Sequence, residues 1–257
     1  MKFFSQIQHF AKSKVGNHIV DVGWLLQTNH ASFIWDAPQP FRRKGPGSTH
    51  RKSVTFCPAV IDLETRLFEV PCPFDLRFGI TINEKGDAAL INRDGDESSM
   101  LDRALARLVV LSPQNQWRNP RRPILQIRTP YTFLSDDTVY MNQFPPFLDY
   151  RHSAWPGLVI GGRLPIHIWP RPLNWAFEWC DLEKDLIFER GQPWFYCIFE
   201  TPKPTQHVRL VEAQMTQDLQ SYLAGIDGVV NYVSKTFSLF STAQQRRPVQ
   251  LLVKVKR

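Results

Sequence analysis

The residues of this chain that could do chemistry are seven histidines and a run of carboxylates in a tryptophan-rich middle region. A metal-dependent oxygenase on a β-roll uses two histidines and a carboxylate, commonly with a His-x-Asp/Glu pair on one strand. No histidine of this sequence has Asp, Glu or His two residues after it. The nearest metal candidates are His167 and Glu178, which supply two ligands at most. The sequence therefore predicts no metal and no cofactor, and a hydrogen-bonded or surface role for His167.

Other catalytic patterns are incomplete. Five carboxylates lie among aromatic residues, as in carbohydrate-active clefts, namely Glu178, Asp181, Glu183, Asp185 and Glu189. A glycosidase needs two carboxyl groups roughly 5–10 Å apart, which spacing along a chain does not test. Gly45-Pro46-Gly47 lacks the third glycine of a dinucleotide loop, and neither a phosphate-binding loop nor a nucleophile elbow occurs. The expectation leans towards a non-catalytic protein, with a cupin-like metal-dependent or carbohydrate-active enzyme as the alternative.

Basic residues are concentrated in three segments of the chain. The net charge is +7, and residues 42–52, 103–128 and 235–257 hold five, six and six basic residues with no acidic one. Arginines around an aromatic ring can contact phosphates and stack a base, although no recognition motif accompanies them here. The same residues suit an acidic protein partner, so both interpretations stay open. The candidate binding residues are Arg42, Arg43, Lys44, Trp117, Arg118, Arg121, Arg122, Arg246 and Arg247.

The cellular setting is inferred from the cysteines and from the apolar runs. Cys57, Cys72, Cys180 and Cys197 form no Cys-x-x-Cys pair, which favours free thiols in a reducing compartment over one disulfide or a metal site. Met1–Phe10 lacks the apolar region and cleavage site of a secretory signal. We expect a soluble protein without a membrane partner, located in the cytoplasm, or in a virion if a phage encodes it.

The element that organises the chain is the aromatic stretch from Arg163 to Glu200. Trp175, Phe177 and Trp179 alternate with smaller or polar residues, the period of a strand buried on one face. The segment from Trp194 to Phe199 is apolar on both faces, as in a strand buried on both sides. Gly191-Gln192-Pro193 predicts the turn into that strand. We expect these aromatic side chains to fill an interior rather than to line a catalytic cavity.

The remaining elements are short, as 20 prolines and 13 glycines indicate. Apolar residues at helical spacing in residues 1–15 predict a short amphipathic N-terminal helix, and Met100–Leu111 a mid-chain helix. After residue 204 the composition favours a helical extension, with a basic, alternating tail suited to an edge strand. The predicted strands before the middle are Val20–Trp35 (one or two strands), Ser53–Ile61, Arg66–Val70, and Leu76–Ile82 in a hairpin with Ala88–Asn92.

Three motifs in the second half carry a resemblance. Thr129-Pro130-Tyr131, Gly157-Leu158-Val159, and Gly191-Gln192-Pro193 running into Ile198-Phe199 follow one another in this order. Together they resemble an uncharacterised family of β-rich proteins from bacterial and phage genomes, over the span from Ile124 to Glu200. The resemblance implies a jelly-roll-like core and assigns no chemistry, because a fold does not imply a function.

The sequence thus predicts a mainly β protein with a jelly-roll or β-sandwich core, a short N-terminal helix, a mid-chain helix and a C-terminal helical extension. It divides into a β-rich half (1–111), an aromatic β core (124–204) and a helical, basic extension (205–257), which together can form one continuous domain. The expected function is that of a structural or interaction protein in a bacterial or phage assembly. Its expected partner is another protein or a second copy, and a nucleic-acid-binding module with basic loops is a further alternative.

Overall fold

The computed structural model describes residues 19–27, 34–45, 47, 49–84, 87–97, 102–227 and 236–256. The predicted N-terminal helix in residues 1–15 lies outside the described residues. Within them the strands are β1 (Ile19–Leu26), β2 (Gln39–Pro40), β3 (Leu67–Pro71), β4 (Leu76–Ile82), β5 (Ala88–Asn92), β6 (Val109–Leu111), β7 (Ile124–Leu134), β8 (Tyr140–Phe144), β9 (Gly157–Ile160), β10 (Gly162–Pro165), β11 (Pro172–Trp179), β12 (Leu186–Phe188), β13 (Pro193–Glu200) and β14 (His207–Glu212). The helices are α1 (Pro58–Arg66), α2 (Asp102–Leu108), α3 (Gln217–Asp227) and α4 (Thr236–Arg246).

The strands form three sheets, so the expectation of a mainly β protein is confirmed. The largest sheet has the order β14-β1-β7-β11-β9, with β6 also pairing with β7. The second has the order β10-β8-β13-β3-β2, and the third the order β12-β4-β5. Among the described strands only β1 and β14 pair in parallel; the other pairs are antiparallel. The largest sheet takes strands from each of the three segments into which the sequence was divided.

The aromatic residues of β11 and β13 form the centre of the core, as the sequence predicts. Trp175, Phe177, Trp179 and Trp194 are all 0 % exposed. The rings of Trp175 and Trp194 stack with their centroids 5.6 Å apart, which joins the first sheet to the second. The predicted turn before β13 is present, and Gly191 has a φ of 78°, a conformation that glycine adopts without steric cost. The alternation of apolar residues on β11 therefore reports a real buried face.

Two predicted elements are wrong in type or extent. Ser53–Ile61 is not a strand: it contains a 3-10 turn over Val54–Phe56 and the first residues of α1. The side chain of Ser53 caps this turn by accepting a hydrogen bond from the backbone N–H of Thr55 at 3.3 Å, and Pro58 occupies the first position of α1, where its fixed φ suits a helix. The predicted helix Met100–Leu111 stops at Leu108, because Val109–Leu111 pairs with β7 instead. Backbone pairing with a neighbouring strand overrides local helical preference there.

The C-terminal helices pack on the outside of the largest sheet and form a second, smaller core. Leu219, Tyr222 and Ile226 of α3 are buried together with Leu251 and Leu252 of the tail. The predicted edge pairing of the tail is present only as a short antiparallel bridge between Lys254 and Ala213. Backbone hydrogen bonds from Gln214 to Val253 at 2.7 Å and from Val255 to Glu212 at 3.0 Å flank it, at the end of β14. The extension is therefore helical, as expected, and its tail pairs briefly at the edge of the largest sheet. None of the helices in the described ranges is long and apolar enough to cross a membrane.

Candidate functional site

A cavity of about 290 Å³ opens where a 3-10 turn over Tyr150–Ala154 approaches β12 and the start of β13. We name it the Trp194 pocket. Its lining includes the apolar and aromatic residues Pro146, Trp155, Ile187, Phe188 and Trp194, together with His152 and the charged residues Asp149, Arg151, Asp185 and Glu189. A concave site with apolar walls and a few polar groups is the usual form of a ligand-binding pocket, and its volume is at the small end of the range of about 300–1,000 Å³.

The turn that forms one wall is fixed by Asp149. Its Oδ1 accepts a hydrogen bond from the backbone N–H of Arg151 at 3.0 Å, and its carbonyl oxygen accepts one from the N–H of His152 at 3.2 Å. The side chain of Asp149 also receives the guanidinium of Arg151, with Nη2 2.8 Å from Oδ2. Trp155 then joins the turn to β12, since its Nε1 donates to the carbonyl oxygen of Ile187 at 3.1 Å. The wall is therefore held at both ends.

Aromatic rings form the floor of the Trp194 pocket. The ring of Trp155 meets those of Trp175 and Phe188 edge to face, with centroid distances of 5.7 and 5.8 Å. Phe188 in turn contacts Trp194 at 6.0 Å. These contacts continue into the main core, so the floor is part of a close-packed interior. The pocket lies at the edge of that aromatic core, a position that no pattern in the sequence predicts.

Two residues of the pocket lining each carry a buried polar atom without a hydrogen-bond partner among the described residues: His152 at Nε2 and Trp194 at Nε1. Burial is the largest influence on His152 and lowers its pKa below the usual value, while the carboxylate of Asp149 opposes this shift. His152 is therefore neutral at physiological pH, and its ring stands 4.9 Å from that of Trp155. The indole N–H can only donate a hydrogen bond, so leaving it unpaired in an apolar wall costs free energy that an acceptor would recover.

The charges around the pocket are largely balanced within the protein. Asp149 and Arg151 pair with each other, and Glu189 lies 3.9 Å from Nη1 of Arg151. Asp185 accepts hydrogen bonds from the side chains of Arg77 and Arg93, at 2.8 and 3.0 Å. Burial acts to raise the pKa of Asp149, but the hydrogen bonds and the charge of Arg151 together outweigh it and leave that pKa below its usual value. The rim thus presents little net charge to a ligand.

The metal candidates have separate partners. His167 lies in the turn after β10, and its Nδ1 is 2.8 Å from the carbonyl oxygen of Val139. Glu178 is buried near the far end of β11 and pairs with Arg118. In the part of the chain that the structure describes, no group of three or more His, Cys, Asp or Glu side chains is placed to hold a metal ion.

Three of the predicted binding residues, Arg42, Arg43 and Lys44, lie on a loop beside α1. Arg43 donates from Nη2 to Glu64 Oε2 at 2.6 Å and from Nη1 to the carbonyl oxygen of Thr55 at 3.3 Å. Lys44 lies 3.6 Å from Glu69. Arg42 is exposed on the same loop. We name the basic residues of segment 42–52 the basic loop; these contacts fasten it to the 3-10 turn, to α1 and to β3.

The other predicted binding residues are dispersed. Trp117 is 9 % exposed, and its indole N–H donates to the carbonyl oxygen of Ser112 at 2.7 Å, so its ring packs inside the protein. Arg121 and Arg122 are exposed on the connection between β6 and β7. Arg247 is largely buried against backbone oxygens, and the exposed Arg246 donates to the carbonyl oxygen of Gly225 at 3.0 Å.

An exposed apolar surface adjoins the basic loop. The 3-10 turn Val54–Phe56 and helix α1 bury none of their residues. Val54 and Phe56 are 66 % and 52 % exposed, and Ile61 and Leu63 are also exposed. We name these four residues the α1 patch. Arg43 connects the patch to the loop through Thr55 and Glu64, which places basic and apolar groups side by side.

Neither a scan against family models nor a search of curated proteins finds a match to this sequence. The two candidate functional surfaces are the Trp194 pocket and the α1 patch. Sequence reasoning missed both of them. The Trp194 pocket joins segments near residues 72, 150, 187 and 194, which no local motif connects, and the α1 patch was hidden by the prediction of a strand at Ser53–Ile61.

Proposed function

We propose that this protein is a non-catalytic interaction protein, a component of an assembly, which binds an acidic protein partner through the α1 patch and the basic loop. The observation that carries the proposal is that a helix and the turn before it leave their apolar side chains in solvent. The proposal includes a jelly-roll or sandwich arrangement of the sheets and a relationship to the β-rich bacterial and phage family. A location in the cytoplasm or in a virion is part of the same proposal.

The exposure of the α1 patch supports a binding role. A helix in a globular protein usually turns an apolar stripe towards the core, yet α1 has no buried residue. Scattered exposed apolar residues are ordinary, and Ile61 and Leu63, two positions apart on α1, point to different sides of the helix. We therefore take Phe56 and Ile61 as the residues that the partner covers. Phe56 is the natural anchor, because aromatic side chains contribute strongly to interfaces.

The charges beside the patch indicate the chemistry of the partner. Arg42, Arg51 and Lys52 are exposed, and Arg43 and Lys44 pair with carboxylates of the protein itself. Asp62 and Glu64 of α1 pair with Arg66 and Arg43. Residues 42–66 hold six basic and two acidic residues, and this net positive charge favours and steers an acidic partner. A partner segment with apolar residues flanked by Asp or Glu complements both features.

The environments of the polar candidates support a binding rather than a catalytic role. His167 is hydrogen-bonded to backbone, and Glu178 is paired with an arginine. Burial raises the pKa of Cys72 to about 12 and also raises that of Cys197, so neither thiol is activated as a nucleophile. The enzyme alternatives, cupin-like or carbohydrate-active, draw no support from these contacts.

A peptide-display selection tests the proposal even though the partner is unidentified. Random 12-residue peptides selected on the protein should be enriched in Asp or Glu beside aromatic or aliphatic residues. Their affinity should fall as salt rises, because exposed charges are screened. The double variant Phe56→Ser, Ile61→Ser should lose at least tenfold in affinity while its melting temperature stays close to that of the wild type.

A matched control uses two other exposed apolar residues, Leu158 and Met215. The double variant Leu158→Ser, Met215→Ser removes similar apolar area elsewhere and should bind the selected peptides as well as the wild type does. Equal binding to both double variants would refute the α1 patch as the interface. If no acidic peptide is selected and single-stranded DNA binds in a manner that requires Arg121 and Arg122, the nucleic-acid alternative replaces this proposal.

A further inference from the structure

We propose that the Trp194 pocket binds a small, neutral aromatic molecule that carries a hydrogen-bond acceptor. This site is separate from the α1 patch and does not depend on the interaction proposed there. The inference combines the size of the pocket, the chemistry of its walls, its unpaired polar atoms and the balance of charge at its rim.

The size and walls of the pocket set the shape of the ligand. A volume of about 290 Å³ accommodates a molecule of one or two rings. Trp155, Ile187, Phe188, Pro146 and Pro193 supply apolar wall area. Aromatic walls favour a ring, since edge-to-face and offset contacts between rings add to the gain from apolar burial.

The buried polar atoms set the functional group. The indole N–H of Trp194 only donates, so its complement is an acceptor such as a carbonyl oxygen. The neutral imidazole of His152 can donate or accept through Nε2, according to its tautomer. A carboxamide on an aromatic ring offers an acceptor and a donor, the two roles that these groups leave open.

The rim selects against charge. Asp149 is paired with Arg151, and Asp185 is held between Arg77 and Arg93. Glu189, the remaining acidic residue of the lining, lies 3.9 Å from Nη1 of Arg151, so a charged ligand would compete with these ion pairs. A neutral ligand leaves these ion pairs intact.

Three probes with one ring test the charge and the functional group together: benzamide, benzoate and benzylamine. Titrations of the full chain, followed by saturation-transfer NMR and tryptophan fluorescence, should give a Kd of about 1 mM or tighter for benzamide, as expected for a fragment of this size. Benzoate and benzylamine should bind at least fivefold more weakly. Equal binding of all three, or no binding of benzamide at concentrations of about 10 mM, would overturn the proposal.

Single substitutions test whether benzamide binds in the Trp194 pocket. Ala154 is exposed at the rim, so Ala154→Phe should fill the entrance and weaken benzamide at least tenfold without a change in the melting temperature. Ala89→Phe adds the same ring on the exposed side of β5, away from the pocket, and should change nothing. Trp194→Phe keeps a ring but removes the N–H, and should weaken benzamide at least threefold.

The outcomes also separate this site from the proposed interface. Benzamide binding that survives Ala154→Phe would place the molecule elsewhere and reject the Trp194 pocket. Loss of benzamide binding in Phe56→Ser, Ile61→Ser would likewise contradict an independent site. Retention of benzamide binding in that double variant, with loss in Ala154→Phe, is the expected result.

Discussion

Arg247 donates a hydrogen bond from its Nε to the carbonyl oxygen of His167 at 2.6 Å, and so fastens the C-terminal extension to the turn after β10. The same guanidinium reaches Asp136, with Nη2 3.2 Å from the backbone oxygen. Asp136 in turn accepts from the backbone N–H of Leu251 at 2.6 Å. The side chain of Arg247 is only 14 % exposed, so this residue, which the sequence suggested as a binding residue, is occupied in holding the tail.

Replacing Arg247 should therefore destabilise the protein. Arg247→Ala removes the donor from several half-buried or exposed backbone acceptors at once, and we expect a loss of about 2–3 kcal/mol in the free energy of unfolding. Arg246→Ala removes a single exposed hydrogen bond, to the carbonyl oxygen of Gly225, and should cost about 1 kcal/mol or less. Urea denaturation of both variants measures the difference. Similar losses in the two would contradict the structural role of Arg247.

The stability of the protein should fall as the pH drops below about 6.5, the usual pKa of histidine. Burial is the largest influence on His167 and lowers its pKa, opposed by the hydrogen bond to Val139 and reinforced by the charge of Arg247. Between the unfolded and folded pKa values the unfolded chain binds more protons, so acid favours unfolding. The stabilisation that neutral His167 contributes is fully present above the pKa of this residue in the unfolded chain. It is lost as the pH falls from that value to the pKa of His167 in the folded protein.

The variant His167→Gln should make this decline shallower between about pH 7.5 and pH 5.0, the range around the ordinary histidine pKa. His152→Gln should act in the same direction, because burial also lowers the pKa of His152. Free energies of unfolding at both pH values test the prediction. A decline that neither substitution alters would show that these histidines do not carry it.

Gly157 should be intolerant of a side chain. A Cβ at this position would overlap the carbonyl oxygen of Glu178 and meet the ring of Phe177 at 3.0 Å, where β9 lies against β11. Gly157→Ala should cost about 2–3 kcal/mol, because backbone must shift to admit the methyl group. Gly162→Ala is the control, since nothing lies within 4 Å of a Cβ there. The melting temperatures of the two variants test this prediction. A lower melting temperature for Gly162→Ala than for Gly157→Ala would contradict it.

The four thiols should react with a thiol reagent at different rates. Cys180 is exposed and Cys57 half-buried, whereas Cys72 and Cys197 are buried. Under native conditions Ellman's reagent should modify Cys180 first, followed by Cys57, and should reach the other two only after unfolding. Mass spectrometry of the labelled peptides identifies the sites. Rapid native labelling of Cys197 would contradict the burial of β13.

The Trp194 pocket shows where reasoning from the sequence stops. His152 has Ala154 two positions after it, so no metal-ligand motif in the sequence marks it. What makes His152 notable is its position beside Trp155 and at the same pocket as Trp194, a residue from a distant part of the chain. Strand pairing in the sheets brings these distant segments together. No short stretch of the sequence contains both of them, so the pocket cannot be predicted from local patterns.

The sequence by itself determined the β character, the burial of Trp175, Trp179 and Trp194, the turn at Gly191 and the helical C-terminal extension. These follow from periodicity, from apolar content and from turn residues, all of which act over a few positions. Only the tertiary structure decided that Val109–Leu111 joins a sheet, that Arg247 is buried, that the α1 patch is uncovered and that a pocket opens near Trp194. Each of these depends on which distant segments meet, because burial, pairing and pKa are set by neighbours in space and not along the chain.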